Sequence, residues 1–391
     1  MIIKEIIQNK KKLYSIVAVI VVVFLTLIFA FSIHWNRNAD PTAYVGNADG
    51  TNWKGYQSGS LTVEFNETAN NNSRKTCKIT SDNASYTAHN LIFPRTIQNP
   101  ITNLNYEVIE IGNNAFQYNI TIAGSITLPT SLEIINDYAF SECASLQGDL
   151  VIPNHVTTIG NFAFSNVGFA GTLKLSNHLS TIGESAFYQN TFTKDLIFPD
   201  SVISIGVQAF EYAGFNGILR LPNNLEILEE RTFFQCGFTG KLHIPATVTT
   251  INEAAFGNCS KLTGDVIIPN SVSVIGEFII ENCENLNGKL VLPNTITSTL
   301  NSFSYTALTS VVFLGENLRS SLFSSWTFCQ SHISQFIFDG WNSTPNWNVQ
   351  NAFAVPGSDN GIVRSINGNL LAETALDVLK GIGLPTGWTA A

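Results

Sequence analysis

Few side chains in this 391-residue sequence are typed and spaced for chemistry. Four of the six cysteines, Cys143, Cys236, Cys259 and Cys283, occupy one place in a recurring pattern. No two cysteines lie two to four residues apart, so the spacing of a zinc site is missing. Coils stacked about 5 Å apart would bring Cys236 to Cys259, or Cys259 to Cys283, within disulfide reach. The same place holds Val167, Asn190 and Ala213 in other copies. A small inward packing position, which a free thiol fills well, is therefore the simpler reading. His155 and His178 also share one place, and two stacked imidazoles could hold a metal. Other copies put Ser131, Ser201, Asn224, Thr247 and Ser271 there, as in a solvated turn. No metal and no cofactor is expected. The carboxylates are scattered singly, and neither a nucleophile elbow, a phosphate loop nor a His-Glu-x-x-His helix occurs. No catalytic residue is assigned. Binding remains, through the cations Lys174, Arg220 and Lys241 with His243, or through Trp326, Trp341 and Trp347.

These candidates are positioned by a repeat. Pro129, Pro153, Pro199, Pro222, Pro245, Pro269 and Pro293 are spaced 23 or 24 residues apart, with Ser176 filling the one gap. A fixed period of this length means a solenoid whose units stack on their neighbours. Seven before the proline is always large and apolar, as in Leu146, Phe192 and Phe238. Three before and one before are apolar, as in Leu196 with Phe198, and so are three and six after, as in Val248 with Ile251. Eleven after is Phe140, Phe164, Phe187, Phe210, Phe233 or Phe256. Alternation before the proline predicts a strand, and the Ala-Phe segment a short helical turn. Gly five before the proline marks the turn into that strand. Gly or Asn seven after, as in Gly160 and Asn136, predicts a positive φ. Glu229 breaks that rule, so its coil is expected to be distorted.

On the pre-proline strand the residues between buried ones point outward. Two and four before the proline thus form two stripes along the expected concave face. The ligand-binding candidates are Val151, Lys174, Asp195, Ile197, Arg220, Lys241, His243, Asp265 and Ile267. β-Branched residues here also suit a strand for its own sake. Apolar groups around a charged centre mark a partner surface. The basic middle of this stripe favours an anionic patch on the partner.

The whole chain carries 20 basic and 29 acidic residues, a net charge of −9. Beyond residue 37 the charge is −13, which argues against a nucleic-acid partner. Residues 1–12 form a basic segment. Leu13 to Ile33 is uncharged and long enough to span a bilayer as a helix. Lys10, Lys11 and Lys12 before it predict a single-pass signal anchor with a cytoplasmic N-terminus and an exported body. A cleaved signal peptide, giving a secreted protein, is the alternative. Residues 34–60 read as a flexible stalk and 61–100 as an N-terminal cap. Residues 101–309 hold the repeats. Residues 310–391 hold degenerate coils and a cap, with a helix after Asn369.

The pattern L-x-I-P-x-x-V-x-x-I-G-x-x-A-F-x-x-C, in phase over residues 90–304, is similar to the BspA-type leucine-rich repeat family of surface proteins. The resemblance implies a curved, mainly β leucine-rich repeat solenoid and adhesion to host proteins, other cells or matrix. It offers no catalytic residues. The N-terminal anchor and the Trp-rich C-terminal part depart from the family's commoner members. The expectation is therefore a membrane-anchored recognition protein with an extracellular protein or matrix partner. The alternatives are a glycan-binding protein using Trp326, Trp341 and Trp347, and an envelope hydrolase sited beyond residue 310, where His332 is the one histidine.

Overall fold

The computed structural model describes residues 62–66, 74–81, 88–99, 102–296, 302–315, 327–328, 331–343, 362–366, 370–381, 384 and 387–391. The expected anchor at 13–33 and stalk at 34–60 lie outside them. Among the described residues no helix is long and apolar enough to cross a membrane.

The repeat folds as stacked coils joined along two or three flanks. One flank is the pre-proline strand. Leu150–Val151 (β8) pairs in parallel with Leu173–Lys174 (β10), and Leu196–Ile197 (β12) with Leu219–Arg220 (β14). Val266–Ile267 (β17) pairs with Lys289–Leu292 (β19), and the sheet continues through Ser310–Leu314 (β20), Gln335–Asp339 (β21) and Ile362–Ile366 (β22). The second flank follows the proline. Ile134–Ile135 (β7), Thr158–Ile159 (β9), Thr181–Ile182 (β11) and Ser204–Ile205 (β13) run in parallel register. Ile227–Leu228 (β15) starts a separate sheet with Thr250–Ile251 (β16) and Val274–Ile275 (β18). The ladder therefore breaks between β13 and β15, beside Glu229, as the missing glycine foretold.

The third flank differs from expectation. The Ala-Phe segments are successive turns, not helical ones. Ala139 N–H donates to Asn136 O, Ser141 N–H to Tyr138 O and Cys143 N–H to Phe140 O. Nine and thirteen after the proline the backbone is left-handed in every coil from Tyr138 and Glu142 to Phe278 and Asn282. The alternate amides then point along the stack, and Tyr138, Phe140 and Glu142 donate to Asn161, Ala163 and Ser165 of the next coil at 2.8, 2.8 and 2.9 Å. Gly160, Gly183, Gly206 and Gly276 have no positive φ. Their reason is space: a Cβ on Gly160 would sit 2.5 Å from Asp137 N.

Inside, the aromatic ladder is continuous. Phe116, Phe140, Phe164, Phe187, Phe210, Phe233 and Phe256 stack coil on coil with centroids 5.1–5.7 Å apart. All are fully buried. The recurring cysteines hold buried thiols rather than disulfides. Cys143, Cys236, Cys259 and Cys283 donate Sγ–H to Phe116, Phe210, Phe233 and Phe256 carbonyls of the preceding coil at 3.0–3.3 Å. Burial pushes the Cys259 thiol up to about 12.

The ends are capped by irregular strands. Thr62–Phe65 (β1) and Thr76–Ser81 (β2) pair antiparallel, and β2 joins Asn105–Ile111 (β5) in parallel. The extra residues after Pro94 place Thr96–Gln98 (β4) antiparallel to β5, while Ala88–Ile92 (β3) pairs in parallel with Ile122–Thr127 (β6). At the other end, Ala372–Gly381 (α1) packs against β22 and Thr389–Ala390 (β23). It starts two residues later than expected, and Asn369 lies outside the described residues.

Candidate functional site

The alternation of the pre-proline strand places the candidate side chains. Leu150, Leu173, Leu196, Leu219 and Val266 point into the core, and their neighbours two before the proline point out. Val151, Ile197, Ile218 and Ile267 are 52, 41, 51 and 54% exposed. Lys174, Arg220, Lys241 and His243 are exposed on the same face. The parallel register sets Lys174 beside Val151, and Arg220 beside Ile197. Toward the C-terminal coils the outward positions become buried, with Val291 at 9% and Val312 at 8%. The accessible stripe thus runs from Thr127 to Ile267.

Two of the expected residues on this face also serve the fold. Asp195 Oδ1 accepts the Ile218 amide at 2.8 Å, and Asp265 Oδ1 accepts the Lys289 amide at 2.9 Å. Asp149 does the same for Thr172, accepting its amide at 2.6 Å and its hydroxyl at 2.8 Å. These carboxylates hold the start of the next coil's strand, so Asp195 and Asp265 carry a structural duty. The Thr172 amide, then its hydroxyl, holds the Asp149 carboxyl below its usual range. The glycine just before each capped amide is forced by the same contact: a Cβ on Gly217 would lie 2.1 Å from Asp195 Oδ1.

The cations differ among themselves. Arg220 pairs with Asp200 of the preceding coil at 3.4 Å. No ion pair among the described residues includes Lys174, Lys241 or His243. Beside Lys174 the surface opens into a depression of ≈ 380 Å³, lined by Thr130, Val151, Ile152, Pro153, Asn154 and His155. Sequence reasoning placed Lys174 and Val151 on this face but missed Asn154 at its margin. Asn154 follows a proline in a turn, a place with no periodic signal.

His155 and His178 are exposed on neighbouring coils. His178 Nδ1–H donates to the Asn154 carbonyl at 2.7 Å. Among the described residues no group of three or more His, Cys, Asp or Glu could hold a metal ion. Their position is exposed in His155, His178, Asn224 and Thr247 and part-buried in Ser201 and Ser271. Ser201, Thr247 and Ser271 hydroxyls there donate to Leu179, Leu225 and Val248 carbonyls of the preceding coil at 2.6–2.8 Å.

Trp341 is not available to a sugar ring. It is 1% exposed, its Nε1–H donates to Phe313 O at 3.2 Å, and it packs edge-on against Phe338. A large aromatic with one polar handle closes the core of the C-terminal coils here. Trp326 and Trp347 lie outside the described residues.

An invariant inward set, three hydrogen-bonded flanks and a face that changes from coil to coil define a leucine-rich repeat β-solenoid. The profile of the BspA type leucine rich repeat region matches residues 109–239 and 227–349 in six copies. That is more than half of the chain, which therefore belongs to the BspA-type leucine-rich repeat family. Among solved structures, a leucine-rich repeat protein from Bacteroides ovatus is 19% identical, with 84% of this chain and 98% of that one covered and a TM-score of 0.47. The pneumococcal vaccine antigen PcpA is 17% identical, with 85% and 97% covered and a TM-score of 0.43. A leucine-rich cell surface protein from Faecalibacterium prausnitzii is 18% identical, with 89% and 99% covered and a TM-score of 0.36. No curated protein matches the chain.

Proposed function

We propose that the chain is a non-enzymatic recognition protein of the cell surface, held by residues 13–33, that binds a protein partner on the outer face of the pre-proline sheet. The observation that carries the reading is the contrast between the two sides of that sheet. Its inner positions repeat, whereas its outer ones present Val151, Ile197, Ile218 and Ile267 at 41–54% exposure among the cations Lys174 and Lys241, with His243 beside them. Apolar anchors with charges at their rim are what a protein interface needs. The net negative chain with a cationic strip favours a partner with an acidic patch, drawn in by long-range attraction.

The test uses the full chain as bait against surface extracts of host or neighbouring cells. Ile218→Glu and Lys241→Glu are expected to lose the captured partner while the melting temperature holds. Capture that survives both refutes the reading. Labelling of intact cells checks the topology, and an unlabelled repeat region refutes the surface assignment.

A further inference from the structure

The repeat contains its own template for what Lys174 would bind. In the fourth and fifth coils, Arg220 stands two before its proline and Asp200 one after the preceding one. They meet at 3.4 Å, and Asp200 also accepts the Asn223 amide at 3.1 Å. The equivalent slots in the second and third coils hold Asn154 and Lys174. Here the carboxylate is replaced by an amide, and no ion pair among the described residues includes Lys174. The surface opens at this point into the ≈ 380 Å³ depression, lined by Lys174, Asn154, Thr130 and His155 together with the apolar Val151, Ile152 and Pro153.

We propose that this depression is a carboxylate subsite, which takes an aspartate or glutamate side chain of the protein partner in the place that Asp200 fills for Arg220. The proposal rests on the binding face described above and names the chemistry that one part of it recognises. Lys174 supplies the charge. The Asn154 amide and the Thr130 hydroxyl supply neutral donors, and Val151 and Ile152 receive the methylenes that carry the carboxylate. An exposed ammonium–carboxylate pair is modest and screened by salt. Its value here is in choosing the partner and its register.

The probe is a short labelled peptide of alternating glutamate and valine, with glutamine replacing glutamate in the control. Binding to the full chain is followed by fluorescence anisotropy at low ionic strength. The glutamate peptide is expected to bind roughly two- to five-fold more tightly than the control. Lys174→Gln removes that preference. Asn154→Asp removes it too, because the new carboxylate occupies Lys174 from within as Asp200 occupies Arg220. Asn154→Ser and Arg220→Gln retain it. A preference that is absent, or that survives both Lys174→Gln and Asn154→Asp, overturns the subsite. Partner capture lost in Ile218→Glu, with no peptide preference, would sink the subsite and leave the binding face standing. A Lys174-dependent preference, with capture unaffected by Ile218→Glu, would do the reverse.

Discussion

Asn190 shows how narrowly one inward position is specified. It takes the place that Cys143, Cys236, Cys259 and Cys283 hold, and its Nδ2 donates to Phe164 O at 2.7 Å just as their thiols donate to the equivalent carbonyls. An amide brings a second polar atom, and Oδ1 is buried without a hydrogen-bond partner. Asn190→Cys keeps the donor and removes the orphan. The expected gain is about 1 kcal/mol, read as a higher denaturant midpoint with an unchanged slope. Asn190→Ala loses the donor as well and is expected to gain less. The sequence made this position legible as small and inward, since Val, Ala, Asn and Cys all enter it. The hydrogen bond was not legible, because its acceptor lies on another coil. The same blindness affected the glycines seven after the proline. Exchange with asparagine suggested a left-handed backbone, while the actual demand is the approach of the neighbouring coil. The left-handed residues nine and thirteen after the proline carry side chains as varied as Tyr138, Ser185, Arg231 and Asn258, so composition hid them.

At the scale of the element, the strand starts depend on an acidic cap from the coil before. Gly217→Ala would push a methyl group against the Asp195 backbone nitrogen at 2.6 Å as well as its carboxylate. Rigid backbone cannot yield as a side-chain end can, so a loss of about 1–3 kcal/mol is expected by denaturation. The Asp149 cap predicts a pH dependence. Its folded pKa is depressed, so its contribution is complete above the unfolded value of about 3.9 and is lost as pH falls through the folded one. Asp149→Asn should flatten the acid limb of the stability curve below pH ~4, and an unchanged limb would exclude the cap as its cause. The turn ladder has a different vulnerability. Arg231 lies with its guanidinium 3.9 Å from the Phe234 ring and pairs with Glu211, which is only 2% exposed. Arg231→Met leaves that carboxylate buried without its countercharge and with the Gln208 amide, at 2.7 Å, as a neutral donor, at a cost of up to about 3–5 kcal/mol. Glu211→Gln together with Arg231→Met should recover most of it, and equal losses in the single and double variants would rule out the pair. The strands were legible from period-two alternation. The capping aspartates were read as binding residues because both duties ask for an outward carboxylate at the strand start.

Over the whole molecule, the ladder breaks do not coincide. Between the third and fourth coils the pre-proline strands β10 and β12 are unpaired, but β11 and β13 pair and Phe187 N–H reaches Ala209 O. Between the fourth and fifth coils β13 and β15 are unpaired, but β12 and β14 pair and Phe210 N–H reaches Thr232 O. Each of these two junctions therefore keeps two hydrogen-bonded flanks and the phenylalanine stack. That continuity matters because one coil cannot bury enough to stand alone, and stability is a sum over neighbouring pairs. A solenoid of this kind should tolerate loss of one full period and not of a fraction. Deleting Ser176 to Phe198, 23 residues, joins Leu175 to Pro199 and restores the order of apolar residue and proline. Every inward position then meets its equivalent one coil further on, so a folded chain with one unfolding transition and a somewhat lower melting temperature is expected. Deleting Ser176 to Phe187 alone shifts the register and turns inward residues outward. That variant should lose its near-ultraviolet circular dichroism and aggregate. If both deletions fold equally well, the coils are not the cooperative unit. If neither folds, the junctions are less equivalent than their shared inward positions make them.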